Sequence, residues 1–341
     1  MQRLNTYRWF VARSGTVAFI LTILAVLIAG CAPRPAGQPA AGEALKVIAT
    51  TSIVGDVVRQ VGGESIELTV LLPLGADPHS FEPTPQDVSA ISEADVVFAN
   101  GAGLEVFLDP LLENAGAADK VIRVSDGIVL LEGTGEHEGE EHAEEGEGEP
   151  HEGEEEHQEG EEHGHAGGDP HTWTDPINVL LWVDNIAAAL SQLDPENADT
   201  YRENASQYKE SLEELDAWIR AELEQVPEEN RLLVTDHQIF AYFAARYGFE
   251  QVGAIVPGYS TMAEPSAQDL ARLEDAIQAL GVKAIFVGNT VNPSLAERVA
   301  EDTGTALVFL YSDSLSEPGG EAGNYLDFMR YNVSAISEAL R

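Results

Sequence analysis

Asp77-Pro78-His79-Ser80-Phe81-Glu82-Pro83 is the stretch on which the reading of this chain turns. Its first three residues recur as Asp169-Pro170-His171, followed by Thr172-Trp173-Thr174-Asp175-Pro176. A residue before proline is pushed out of the α region, so Asp-Pro and Glu-Pro read as extended or turned backbone. Each histidine therefore sits in a stiff loop, which can aim an imidazole at a fixed point, as a metal ligand must be aimed. One such tripeptide carries little weight. Two, each followed by a further acidic residue and proline, carry more.

Outward from Asp77, Ile66 to Leu72 reads as a strand stopped by Pro73, and Pro85 opens a helix through Glu93. Leu45 to Thr50, Val96 to Ala99 and Val121 to Val124 are further short apolar runs, separated by helical patterns over Ile53 to Val61 and Leu104 to Leu112. Strands alternating with helices predict a parallel sheet with right-handed crossovers. After the second Asp-Pro-His, Asp175 caps a helix begun by Pro176, with Ile177, Leu180, Leu181, Val183 and Ile186 on its apolar side. A longer helix is expected from Pro195 to Gln225, with Tyr201, Tyr208, Leu212, Leu215, Trp218, Ile219 and Leu223 at helical spacing. Some thirty residues would span about 45 Å, enough for a spine between two lobes.

Beyond it the alternation resumes. Leu232 to Thr235, Ala284 to Val287 and Ala306 to Leu310 are predicted strands. Gln238 to Tyr247, Ala267 to Leu280, Pro293 to Thr303 and Tyr325 to Leu340 are predicted helices. The expected class is α/β, with two lobes of parallel sheet flanked by helices and joined by one long helix. The expected division is a signal segment over 1–30, a tether over 31–43, an N-terminal lobe over 44–194, the linking helix over 195–226 and a C-terminal lobe over 227–341.

The ends and the charge constrain the rest. Arg3, Arg8 and Arg13 precede an apolar run from Val17 to Ala29, short for a bilayer span and suited to a signal-peptide core. It ends Leu27-Ile28-Ala29-Gly30-Cys31, which resembles a bacterial lipobox and implies cleavage before Cys31 and lipid on its sulfur. Cys31 is the sole cysteine, so neither an intramolecular disulfide nor a cysteine-rich zinc site is possible. Formal net charge is -41, and loss of Arg3, Arg8 and Arg13 takes -41 to -44. Such a chain attracts cations and lacks the basic face that nucleic acid requires.

Between Glu132 and Glu162 stand sixteen glutamates with no Lys or Arg. Without apolar periodicity the insert over 132–168 is expected to be disordered. It carries His137, His142, His151, His157, His163 and His165, a candidate set of weak, exchanging sites for zinc, with a solvated spacer as the alternative.

The remaining histidines are His79, His171 and His237, none inside an apolar helical face. His79 and His237 follow predicted strands, and the strand Ala306 to Leu310 is followed by Tyr311-Ser312-Asp313. Ligands of open α/β sheets bind beyond the carboxyl ends of strands. His79, His171, His237 and Asp313 can thus converge on a cleft between lobes, with Asp302 and Asp327 as competitors for the last place. Three imidazoles and a carboxylate complete a tetrahedral set for zinc. Manganese and magnesium favour more oxygen. Four protein ligands leave no position for a catalytic water, which argues for holding the ion and against chemistry with it.

These residues together resemble the zinc- and manganese-type solute-binding proteins of bacterial ABC importers. The match rests on Asp77-Pro78-His79 with Glu82-Pro83-Thr84-Pro85, Asp169-Pro170-His171 with Asp175-Pro176, and Asp236-His237 with Phe240, Tyr242-Phe243 and Tyr247-Gly248. It extends through Glu264-Pro265-Ser266, Asn292-Pro293 and the Asp313 region with Tyr325, Met329 and Asn332. The resemblance implies two α/β lobes joined by one long helix, a metal between them, and ligand roles for His79, His171, His237 and Asp313. His237, where manganese members tend to have glutamate, and the His-rich insert both resemble the zinc branch. Gly288 departs from the family, whose members often have an acidic residue there, but it lies off the expected ligand set. The implied function is extracytoplasmic binding of a divalent metal, Zn2+ with Mn2+ as the alternative. The implied partners are a permease and an ATPase, with a lipid anchor at Cys31 and a monomeric protein. The rivals are a manganese or iron component of the same architecture, a metallohydrolase with Asp313 or Glu264 as base, and a surface adhesin or metal buffer.

Overall fold

The computed structural model describes residues 44–132 and 168–341, all within one compact unit, Ala41–Arg341. Cys31 and the histidines from His137 to His165 lie outside the described residues, as do the expected signal segment and most of the tether.

Two four-stranded parallel sheets form the two lobes. The first holds β1 (Leu45–Ala49), β2 (Ile66–Val70), β3 (Val96–Ala99) and β4 (Val121–Arg123) in the order β2-β1-β3-β4. The second holds β5 (Leu232–Thr235), β6 (Glu250–Ala254), β7 (Ala284–Gly288) and β8 (Ala306–Leu310) in the order β6-β5-β7-β8. The two orders are the same, so each lobe has a point beside its first strand where the winding reverses, and the carboxyl ends there open a crevice. Every residue of β3 and β7 is buried, as parallel strands covered on both faces require.

The helices are α1 (Ser52–Gly62), α2 (Pro85–Glu93), α3 (Leu108–Ala115), α4 (Pro176–Leu193), α5 (Ala198–Leu223), α6 (Ala241–Tyr247), α7 (Ala267–Leu280), α8 (Ser294–Thr303) and α9 (Tyr325–Leu340). Their ends follow local chemistry. Thr84 and Ser266 form capping boxes with Asp87 and Asp269, and Asp175 Oδ1 accepts the Ile177 N–H at 2.9 Å. α3 starts four residues later than its apolar pattern suggests, which leaves Pro110 in the first turn, where a missing N–H costs nothing. α6 is likewise shorter than expected, because the Gln238 N–H is committed to the Gly258 carbonyl.

β6 was not foreseen in the sequence. It is an edge strand, partly exposed along its length, and Gly253 interrupts its apolar residues. A Cβ at Gly253 would stand 2.7 Å from Leu273 Cδ1, so the glycine lets α7 close on the strand.

α5 buries Tyr201, Ala205, Tyr208, Leu212, Leu215, Ile219 and Leu223, one stripe over its 26 residues. At 1.5 Å per residue that is about 39 Å. It begins at Ala198 rather than Pro195, with Asp194 accepting from Asn197 and Tyr201 in the preceding turn. Its first half reaches α1 through Asn204, which donates to the Val61 carbonyl. Its second half reaches the other lobe. Asp216 accepts from Arg246 and Tyr247 of α6, and Glu222 accepts from Ser337 of α9 and from Arg341. One apolar cluster accordingly runs from β1 and α1 through α4 and α5 to β5 and α9, while each lobe has a smaller cluster on its other face.

Candidate metal centre

His79 lies in the loop between β2 and α2, and His171 in the turn leading to α4. His237 follows β5 by two residues, and Asp313 follows β8 by three. Two elements of each lobe thus bring these side chains together, and one ligand atom from each lies within 4.8 Å of all the others. All four residues are buried. The competitors fall elsewhere. Asp302 pairs with Arg298 on α8, and at the start of α9 Asp327 Oδ2 accepts from the Asn324 amide while its N–H donates to Asn324 Oδ1. Glu264 is exposed.

The carboxylates beside the histidines set their ring orientation. Asp169 Oδ1 accepts both the backbone N–H and the Nδ1–H of His171, at 2.9 and 2.8 Å. Asp236 Oδ1 does the same for His237, at 2.6 and 2.7 Å, while its Oδ2 accepts the Gly288 N–H at 2.5 Å. With Nδ1 committed as a donor, each Nε2 presents a lone pair. His171 Nε2 stands 3.3 Å from His79 Nε2 and 3.3 Å from His237 Nε2. With His237 protonated, its Nε2–H can bond His171 Nε2; with that proton gone, three lone pairs face one point and could hold a cation.

Asp313 completes the set with one oxygen. Its Oδ2 accepts from Ser312 Oγ at 2.7 Å and Thr290 Oγ1 at 3.0 Å, whereas its buried Oδ1 has no hydrogen-bond partner among the described residues and stands 3.9 Å from His237 Nε2. An orphaned buried carboxylate oxygen beside three imidazole nitrogens is a donor set that could hold a cation.

Protonation follows the same field. Burial alone would lower His237, but the charges of Asp236 and Asp313 and its hydrogen bond to Asp236 raise it to about 9. Burial would likewise lift the Asp236 carboxyl, but the His237 charge and hydrogen bond outweigh it and hold it below the usual range. Burial, then the neighbouring His171, push His79 down to about 3, against the pull of Asp313. Burial raises Asp169 to about 7. The pocket therefore accepts one positive charge readily and a second poorly, and a divalent ion would have to displace the proton on His237.

The hydroxyls of Ser312 and Thr290, the Gly288 amide and the carboxylates of Asp169 and Asp236 are functional groups that the sequence reading did not assign. Their signal was partly present, in the acidic residue one or two positions before each histidine. Gly288 also acquires a reason. A Cβ there would stand 2.1 Å from Ser312 Oγ and 2.9 Å from Asp236 Oδ2. Glycine is what lets the β7 terminus close on both.

Known proteins resemble the chain along most of its length. The family described as zinc-uptake complex component A, periplasmic, matches residues 47–339. The manganese-binding lipoprotein MntA of Halalkalibacterium halodurans is 33% identical over 324 residues, covering 95% of this chain and 97% of that protein. The manganese-binding lipoprotein MntA of Bacillus subtilis is 32% identical over 338 residues, covering 96% and 100%. Among solved structures, the periplasmic zinc binding protein TroA from Treponema pallidum superposes with a TM-score of 0.73 at 25% identity, over 87% of this chain and 99% of that one. A Mn-bound periplasmic metal binding protein from Candidatus Liberibacter asiaticus does so with a TM-score of 0.69 at 26% identity, over 87% and 100%.

Proposed function

The chain belongs to the zinc-uptake complex component A family, and from that premise we propose that it binds zinc outside the cytoplasm and delivers it to the permease of an ABC importer. The observation that carries the choice of ion is the locked Asp313. With Oδ2 held by two hydroxyls, the carboxylate offers one oxygen, and the donor set closes at three nitrogens and one oxygen. The 3.3 Å from His171 Nε2 to each of the other two Nε2 atoms matches the edge of a tetrahedron with bonds of 2.0–2.1 Å, about 3.3–3.4 Å, while Asp313 Oδ1, 3.9 Å from His237 Nε2, stands wider. Manganese prefers more oxygen and a larger shell.

His79, His171, His237 and Asp313 are the proposed ligands, and zinc is cargo, not a catalytic cofactor. A closed, buried four-donor set has no place for an activated water, so the metallohydrolase reading lacks its nucleophile. Relatives named as lipoproteins support a lipid anchor at Cys31, a signal segment before it and delivery to membrane partners. His137, His142, His151, His157, His163 and His165 are proposed as auxiliary weak sites. Deleting residues 136–165 should remove weak zinc equivalents and leave the tight one, and unchanged stoichiometry would exclude that role.

Manganese is the second reading, favoured by the names of the relatives cited above. Competition decides between them. The protein, stripped of metal and offered equal zinc and manganese, should retain zinc by elemental analysis and lose it on His237→Ala substitution. Retention of manganese in excess of zinc would reverse the assignment.

A further inference from the structure

The chain leaves the described residues after Glu132 and re-enters them at Gly168, and the two ends meet. The Asp169 N–H donates to the Leu131 carbonyl at 2.9 Å. Gly168 makes the approach possible. Its φ is +92°, and a Cβ there would stand 2.8 Å from the Leu131 carbonyl oxygen and 3.0 Å from Leu130 Cβ. Tyr242, on α6 of the other lobe and 6% exposed, closes the junction. Its hydroxyl accepts the Leu131 N–H at 3.1 Å and donates to the Asp169 carbonyl at 2.8 Å. Burial pushes the phenol up to about 12, so it stays a donor at neutral pH.

The same Asp169 holds the His171 ring through Oδ1. One residue therefore carries the end of the glutamate-rich segment on its backbone and a proposed metal ligand on its side chain. Any change in that segment would pull on Asp169. Its sixteen glutamates repel one another, and a bound cation relieves that repulsion. A ring of three hydrogen bonds across Leu131, Tyr242 and Asp169 fixes the junction against such a pull.

We propose that Tyr242 is a positioning residue for the metal centre, a clasp that fixes Asp169 behind His171 and insulates the tight site from the segment over 132–168. The proposal rests on the metal-site reading above. Tyr242→Phe keeps the ring in place and removes both hydroxyl bonds.

Cobalt serves as the probe, with its visible spectrum reporting ligand geometry and a chelator drawing it off. In the otherwise unaltered protein, replacing residues 133–167 by a short Gly-Ser link should change neither the spectrum nor the rate of tight-site loss. Tyr242→Phe should speed that loss about 3- to 10-fold, the worth of one net hydrogen bond of the two it removes, and alter the cobalt spectrum. The effect should be larger in the full chain than in the shortened one. Gly168→Ala, crowding the same junction from its other side, should act in the same direction. A Tyr242→Phe protein that melts earlier but keeps the original spectrum and rate would overturn the proposal, as would equal effects in the full and shortened chains. An unaltered protein that takes up no cobalt, or holds it equally well after His171→Ala, defeats the metal-site reading instead of the clasp.

Discussion

Asp77 and Asp169 open the same tripeptide and end in different roles. Both accept the N–H of the histidine two residues on, at 2.9 Å in each case. Only Asp169 also takes its histidine's Nδ1. Asp77 instead turns Oδ2 to Ser80 and to Thr261 of the other lobe, and His79 Nδ1 has no hydrogen-bond partner among the described residues. The tripeptide made the stiff loops legible but could not say which carboxylate would hold a ring, since that depends on what the fold places opposite. Asp236→Asn leaves the shape but removes the charge that orients and activates His237, so zinc affinity should fall about 10- to 100-fold in a chelator competition. Ser312→Ala frees one hydroxyl bond from Asp313 Oδ2. The ratio of zinc to manganese affinity should then narrow, because the carboxylate gains freedom to offer a second oxygen. The pH dependence has a definite sign. His237 and Asp169, raised to about 9 and about 7, hold protons that a bound dication expels. Affinity should therefore climb about one decade per pH unit between about 7 and 9, level off above, and fall more steeply below about 7. An affinity that rises on acidification would contradict this protonation scheme.

Among the elements, those with a strong period and a chemical stop were readable, and those shaped by tertiary contacts were not. α7 shows Ser266 before it and Gly281 after it, and its expected bounds hold. β6 shows neither alternation nor a run, since Glu250, Gln251 and Gly253 are tolerated only because the strand lies at the sheet edge under α7. The long helix was legible from its stripe, while its start was not, since the turn before it is set by Asp194 accepting from Tyr201. Leu212, fully buried near the middle of α5, is the position where shortening a side chain tests the spine. Leu212→Ala should cost about 2–5 kcal/mol in denaturant unfolding with little change in metal selectivity. Gly288→Ala tests the opposite. It sits on β7, yet its Cβ would displace Ser312 and Asp236, so it should weaken metal binding more than its loss of stability accounts for. Equal zinc affinity before and after that change would remove Gly288 from the account.

At the scale of the whole molecule, two lobes with the same strand order bring two donors each to one point. They are tied around it by Tyr325 N–H to Asp56, Tyr325 hydroxyl to the Trp173 carbonyl, Trp173 Nε1 to the Ser312 carbonyl and Leu315 N–H to Ser52 Oγ. A ligand held by both lobes binds the folded state alone, so zinc at a hundredfold excess over its dissociation constant should add about 2.7 kcal/mol of stability. The gain should vanish in His171→Ala. The convergence of the four groups was expected from the sequence because each of them follows a strand end or a proline turn. Where those ends lie depends on the sheet orders β2-β1-β3-β4 and β6-β5-β7-β8, which no local pattern encodes.

The proposed site for one divalent ion is the space among His79, His171, His237 and Asp313. The most direct test is anomalous diffraction at the zinc edge from crystals of the zinc-loaded protein. A single strong peak is expected about 2.0–2.1 Å from three imidazole nitrogens and from Asp313 Oδ1, with no solvent in the shell. A peak elsewhere, or an ion held by fewer of these residues with water completing its coordination, would contradict it.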